Sequence, residues 1–308
     1  MGFLVSVKKQ IFAAGLALLS AMMVALVAPM QSSNTVQISH QVNQLYVFGD
    51  SLSDVGNVLQ ATGGAYPPSP PYFQGRYSNG SVWVEYLASD LGLTPKQNTN
   101  FAYGGATTGS ASINGVPGLL AQVQSFTQAH REMNPNALYV LWAGANDYLH
   151  GATSNSTLSS ENLSRAVQFL SKAGAKKILV ANLPDLGKLP STSNSSYSTA
   201  LSSLTVAHNL SLTKSLDVLK QELGSDTQII KLDVYSLYQQ AITEPAKFGL
   251  TNVTSACLNN AASCSNANKF LFWDGIHPTT AGHQILGKTA LTALKTELSL
   301  PPRSQLSH

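Results

Sequence analysis

Short apolar runs alternate with amphipathic stretches along most of this chain. Leu45-Tyr46-Val47-Phe48, Leu138-Tyr139-Val140-Leu141-Trp142, Ile178-Leu179-Val180 and Ile229-Ile230-Lys231-Leu232 are four such runs, each closely followed by Gly, Asn, Pro or Asp. Continuous apolar runs of this length predict strands covered on both faces, since a half-solvated strand would alternate with period two. A weaker strand is expected near Asn100 to Ala102. Between the runs, Leu163, Ala166, Val167 and Leu170 fall at the i, i+3, i+4, i+7 spacing of a helical stripe. Leu212, Leu216, Leu219 and Leu223 mark a second helix. Leu286, Ala290, Leu294 and Leu298 mark a last one, ended by Pro301-Pro302. This alternation predicts one α/β/α layered domain built on a mostly parallel sheet. Ser191 to Ser198 reads as a solvated loop.

The first 30 residues break the pattern. Lys8 and Lys9 precede an uncharged, mostly apolar run from Ile11 to Ala28, and polar Gln31-Ser32-Ser33-Asn34 follows. That order is the pattern of an export leader. The chain therefore divides into a leader over 1–33, a single domain over 34–300 and a frayed tail over 301–308. The leader predicts a secreted or periplasmic protein. An uncleaved N-terminal anchor is the second reading, because 18 residues just span a bilayer.

Charged residues make up 11% of the chain and apolar residues 44%, against roughly 25% charged in an average soluble protein. A disordered tail system and a polyanion-coating protein are excluded on those numbers. The net charge of +3 shrinks to near zero once Lys8 and Lys9 leave with the leader. No electrostatic case for nucleic acid survives. Cys257 and Cys264 are the only cysteines. Export and their close spacing predict a disulfide closing a short local loop. A metal site would need two more soft ligands nearby, and none is present.

Four stretches carry candidate chemistry. The first strand runs into Gly49-Asp50-Ser51-Leu52-Ser53-Asp54, which places Ser51 beyond a strand's carboxyl end, where open α/β sheets hold their reactive groups. A serine needs an adjacent base to become nucleophilic, and by itself this turn reads rather as a strand-to-helix turn with an N-capping serine. Asp274-Gly275-Ile276-His277-Pro278-Thr279 sets an Asp three residues before a His, close enough to hold the ring's Nδ1–H and leave Nε2 as base. An Asp capping the last helix beside an incidental His is the alternative. The glycine-rich stretch Phe101 to Gly109 and the turn Gly144-Ala145-Asn146-Asp147 offer backbone and amide donors suited to an oxyanion.

Taken together and in this order, these blocks resemble the GDSL, or SGNH, family of serine esterases and lipases. FGDSLSDVGN is similar to the family's first block, NFAYGGATTG to the second, GANDY to the third and DGIHPT to the last. PPYFQGRYSNGSVWVEYLA, NLPDLGKLP and AHNLSLTKSLDVL extend the resemblance, which covers most of residues 45 to 295. It implies a flavodoxin-like three-layer α/β/α sandwich. It also implies Ser51 as nucleophile, His277 as base and Asp274 as the acid that orients it. The oxyanion donors would be the Ser51 N–H, the Gly105 N–H and the Asn146 side chain, with Gly104 replacing Gly105 if the block slips by one.

The resemblance implies an exported carboxylic ester hydrolase working through an acyl-enzyme, without metal or organic cofactor. The flank around PPYFQGRYSNG is most similar to secreted phospholipase, lysophospholipase and haemolysin-like members. Lysophospholipid is thus the expected substrate, with transient contact to a membrane or micelle and possible transfer to an alcohol. Alternatives are a short-chain esterase or a carbohydrate deacetylase, and, outside enzymes, an exported binding or adhesin protein. Asp50, Asp54 and Asn57 are read as turn-holding residues, and Asp147 as support for the third block. His40, His130, His150, His208, His283 and His308 lack an acidic partner at this spacing and are read as structural or surface.

Overall fold

Strand β1 (Gln44–Gly49) lies between β2 (Asn98–Asn100) and β3 (Ala137–Trp142), and β4 (Lys177–Ala181) and β5 (Gln228–Leu232) extend the sheet beyond β3. All four pairings are parallel, and the order β2-β1-β3-β4-β5 is that of flavodoxin-like sheets. The computed structural model describes residues 41–94, 98–130, 132–151, 154–259 and 262–299. The expected leader, the tail 301–308, His40 and His308 lie outside the described residues. The chain divides into two units, Met1–Gln41 and Val42–His308, and the described elements all belong to the second.

Side-chain alternation along the strands decides which helices cover which face. Phe48, Tyr139, Leu141, Ile178, Val180 and Ile229 are buried in one cluster with residues of α3 (Leu119–Ala129), α5 (Ser156–Lys172) and α6 (Ser198–Glu222). On the other face, Trp142 meets Trp83 of α2 (Trp83–Asp90) edge to face at 5.6 Å. Helix α2 packs in turn on α8 (Thr280–Leu298), which also touches β5. Helices on both faces make the three layers. Strand β3, at the centre, is buried along its whole length.

Caps set where several helices begin. Asn155 accepts from the N–H groups of Thr157 and Leu158 at the start of α5, and Thr279 accepts from Gly282 N–H at the start of α8. Asp233 does the same for Ser236 at α7 (Val234–Thr243). Each satisfies a donor that the first helical turn leaves without an intrahelical partner.

Two expectations shift. The edge strand lies at Asn98–Asn100 rather than 100–102. Beyond Asn100 the chain still follows β1, with Phe101 N–H donating to Val47 O at 2.7 Å and Tyr103 N–H to Gly49 O at 3.0 Å, but the regular ladder has ended. The stretch 191–198 is not solvated throughout. Thr192 is buried, its hydroxyl donating to the Leu186 carbonyl, so this turn is fastened to the preceding loop.

Candidate active site

The site lies at the carboxyl end of β1. Gly49 is required there, because a Cβ would stand 2.3 Å from the Trp142 carbonyl oxygen of β3. Gln122 of α3 brackets the same residue: Gly49 N–H donates to Gln122 Oε1 and Gln122 Nε2 donates to Gly49 O, both at 2.9 Å. The chain then curls, with Ser53 and Asp54 N–H both donating to Asp50 O. This tight turn carries Ser51 between β1 and α1 (Asn57–Ala61).

His277 reaches Ser51 from the turn between β7 (Phe270–Phe272), an outer strand paired with β6 (Asn252–Ala256), and α8. Its Nε2 lies 2.8 Å from Ser51 Oγ, and its Nδ1 lies 2.7 Å from Asp274 Oδ2. Asp274 Oδ1 accepts from the N–H groups of Ile276 and His277 at 2.9 and 2.7 Å. The turn is pinned at both ends, by Trp273 N–H to His277 O at 2.7 Å and by Thr279 Oγ1 to Phe270 O at 2.7 Å. The helix-capping alternative for Asp274 does not hold, since Thr279 caps α8.

Charge around this chain of bonds is uneven. Burial would raise the Asp274 carboxyl, but the charge of His277, its ring hydrogen bond and two backbone N–H groups outweigh it and hold the group at about 2. Burial pushes the neighbouring Asp50 carboxyl up to about 7, offset only in part by the Leu52 N–H and the charge of His277. Asp274 is thus an anion at neutral pH, whereas Asp50 sits near its midpoint.

Asn146 lines the same cleft as Ser51. Asn146 opens α4 (Ala145–Leu149), and its Nδ2 donates one hydrogen to Ala106 O at 3.0 Å, leaving the other available. The Gly104 N–H is taken by Asp54 Oδ2 at 2.9 Å, and a Cβ at Gly104 would stand 2.1 Å from the Tyr77 hydroxyl. Gly105 is exposed at φ 83°, and neither its N–H nor that of Ser51 has a hydrogen-bond partner among the described residues. Asp147 has both oxygens committed: Oδ2 accepts Thr108 N–H, and Oδ1 accepts the Thr108 and Ser159 hydroxyls. It fastens the second block to the third. Asp54 and Asn57 do the same for the first and second, with Asn57 Nδ2 donating to Ala102 O at 2.8 Å.

A narrow cleft of about 20 Å³, partly open to solvent, lies against Ser51, Asn146 and His277. Its apolar wall includes Leu52, Leu149, Pro184, Leu186, Leu189 and Ile276. The loop after β4 supplies three of these, and α6 holds that loop from behind. Asn209 Oδ1 accepts Leu183 N–H and its Nδ2 donates to Leu183 O, both at 2.9 Å, and Leu186 N–H donates to Thr205 Oγ1.

Among the described histidines, His277 alone is joined to both a carboxylate and a serine. His208 is buried against the Tyr148 hydroxyl, 2.9 Å from Nδ1, and desolvation lowers it to about 4. His283 accepts Trp83 N–H through Nδ1, and burial with the charge of His277 lowers it to about 3. His130 Nδ1 meets Phe126 O at 2.9 Å, and His150 caps α4. The disulfide Cys257–Cys264 is formed. Its segment pairs with the site's own approach, since Cys257 N–H donates to Phe272 O and Leu258 N–H to Trp273 O, next to Asp274.

Sequence reasoning assigned no role to Gln122, Tyr72 or Tyr77. The Tyr72 hydroxyl donates to Asp274 Oδ2 at 2.7 Å, and the Tyr77 ring lies 5.1 Å from that of His277. Both tyrosines come from the PPYFQGRYSNG stretch, which the resemblance had singled out as a block without roles.

A family profile described as GDSL-like Lipase/Acylhydrolase matches residues 45–290. A phosphatidylcholine-sterol acyltransferase of Aeromonas hydrophila is 28% identical over 83% of this chain and 91% of its own. A thermolabile hemolysin of Vibrio parahaemolyticus is 29% identical over 84% of this chain and 66% of its own. Among solved structures, an acetylxylan esterase from Geobacillus stearothermophilus superposes with a TM-score of 0.50 at 14% identity, covering 82% of this chain and 94% of that one. At that identity the likeness concerns the fold.

Proposed function

The chain belongs to the GDSL-like lipase/acylhydrolase family and is a carboxylic ester hydrolase, and within that family we propose that it deacylates lipid esters, lysophospholipids first, through an acyl-enzyme on Ser51. The observation that carries this reading is an apolar cleft that opens directly onto a serine already hydrogen-bonded to a carboxylate-held imidazole.

In the first half-reaction Ser51 Oγ attacks the ester carbonyl carbon while His277 Nε2 accepts the hydroxyl proton. Asp274 keeps the ring in the tautomer with Nδ1–H and stabilises the cation that forms. Negative charge gathers on the carbonyl oxygen, where the Ser51 N–H, the Gly105 N–H and the second Asn146 Nδ2 hydrogen supply donors. Collapse breaks the ester C–O bond, and His277 returns its proton to the departing alcohol. Water then attacks the acyl-serine by the same route and releases the acid. An alcohol in place of water makes the enzyme an acyltransferase, the activity in the name of the Aeromonas relative.

The apolar wall favours an acyl chain, and the relatives named as acyltransferase and hemolysin support a lipid substrate presented at a membrane or micelle surface. The cleft volume of about 20 Å³ is far below the roughly 300–1,000 Å³ typical of ligand pockets, which favours short-chain ester or carbohydrate acetate hydrolysis as a second reading. Residues 34–300 would act as one hydrolase domain, exported to the periplasm or beyond by the leader. The disulfide fits that oxidising destination.

The purified full-length chain is assayed on lysophosphatidylcholine and on acetylated xylan. Fatty-acid release that disappears in Ser51→Ala is expected. Acetate release from xylan without fatty-acid release overturns the lipid reading.

A further inference from the structure

Asp274 Oδ2 serves two partners. It lies 2.7 Å from His277 Nδ1 and accepts the Tyr72 hydroxyl at the same distance, across 202 residues of sequence. Its other oxygen is held by the Ile276 and His277 N–H groups. Without Tyr72, nothing among the described residues but the imidazole itself would hold Oδ2, and the acid that orients the base would lose the one independent side-chain restraint they supply.

Tyr72 is itself well held. Its N–H donates to Pro68 O at 3.1 Å, and its ring stands edge-on to Tyr77 at 6.3 Å. The following residue, Phe73, donates to Ser78 O at 2.9 Å, and the Ser78 hydroxyl donates to Pro278 O, next to His277, at 2.9 Å. The segment 68–78 is therefore docked on the turn that carries Asp274 and His277. Burial and the nearby Asp274 charge raise the Tyr72 phenol well above its ordinary value, so it stays a donor throughout the working pH range.

We propose that Tyr72 is a positioning residue for the proton relay: its O–H fixes Asp274 Oδ2 and moderates the negative charge which that oxygen presents to His277. The proposal rests on the reading of Ser51, His277 and Asp274 as nucleophile, base and orienting acid. The sign follows from the hydrogen bond. A donor on Oδ2 withdraws charge from it, so removing the donor lets the carboxylate stabilise protonated His277 more strongly. The acid limb of the rate profile then moves to higher pH. Other groups that bear on the pair are Asp50 and His283 facing His277, Ser51 on Nε2, the Tyr77 ring with Asp54 behind it, and Tyr66 beside Tyr72. Exchanging the Tyr72 hydroxyl leaves all of them in place.

The test compares Tyr72→Phe with 3-fluorotyrosine installed at position 72, using the full-length protein. The readouts are kcat and KM against pH and the pH dependence of Ser51 labelling by a fluorophosphonate. Tyr72→Phe is expected to lower kcat about tenfold with KM unchanged and to move the acid limb up by roughly 0.5–1 pH unit. The fluorinated ring, a stronger donor of nearly the same size, is expected to move the limb down. An unmoved limb in both variants, or displacement in the same direction, overturns the proposal, and the single added fluorine keeps the test open if Tyr72→Phe fails to fold. Ser51→Ala separates the two readings. If it retains activity, the underlying site is wrong. If it is inactive while the Tyr72 variants match wild type, only the role of Tyr72 falls.

Discussion

Replacing Asn146 by alanine removes one oxyanion donor and one structural bond together, and the two effects are separable. Nδ2 donates to Ala106 O at 3.0 Å from a side chain that is 5% exposed, so the carboxamide is fixed before substrate arrives. Loss of one such preorganised donor costs about 10²–10³ in kcat, or roughly 2.7–4 kcal/mol of transition-state stabilisation. KM should change little, because the donor engages charge that develops after binding. Asn146→Ala also leaves the buried Ala106 carbonyl without this donor, a cost of about 1–3 kcal/mol to the fold. At roughly 2–4 °C per kcal/mol, that is a visible fall in Tm which leaves the protein folded at 25 °C. Steady-state hydrolysis of a soluble ester at 25 °C, with Tm measured in parallel, resolves both. A variant that keeps more than half the wild-type kcat, or whose whole loss lies in KM, would refute the assignment.

Three further outcomes are expected. Asp50→Asn should raise Tm more at pH 8 than at pH 5. Unfolded, Asp50 ionises near its ordinary value of 3.8, whereas burial keeps it protonated up to about 7 in the folded chain, so stability falls as pH rises between those two values and is constant above them; a pH-independent difference in Tm would contradict this. Gln122→Ala should cost about 2–4 kcal/mol by removing both bonds to Gly49, and should slow Ser51 labelling as the end of β1 loosens. Unchanged labelling would confine Gln122 to stability. Reducing Cys257–Cys264 should cost roughly 2–3 kcal/mol, the closure entropy of so short a loop. It should also lower turnover, because the loop's base is hydrogen-bonded to Phe272 and Trp273 beside Asp274. Unchanged turnover on reduction would separate the loop from the site.

The central strands were legible because each is covered on both faces and so reads as an unbroken apolar run. The edge strand was displaced by two residues because Asn98-Thr99-Asn100 has no apolar signal and is set by its pairing with β1. Ser51, Asp274 and His277 stood out through local motifs: Asp274 and His277 share one short turn, and Ser51 ends a strand. Asn146 and Gly105 were marked by the same kind of block. Tyr72 and Gln122 carry no comparable signal. Each is a single polar side chain whose partner lies 202 or 73 positions away, and only the fold brings the pairs together. The cleft wall was hidden for a related reason. Pro184, Leu186 and Leu189 face Ser51 because Asn209 and Thr205 on α6 hold their loop, a geometry that spacing alone does not encode.

The most direct test of the central claim is to quench the enzyme with acid during turnover of lysophosphatidylcholine and map the modified peptide by mass spectrometry. One fatty-acyl group esterified to Ser51 is expected. Turnover with no acyl adduct, or with the adduct on another residue, would contradict it.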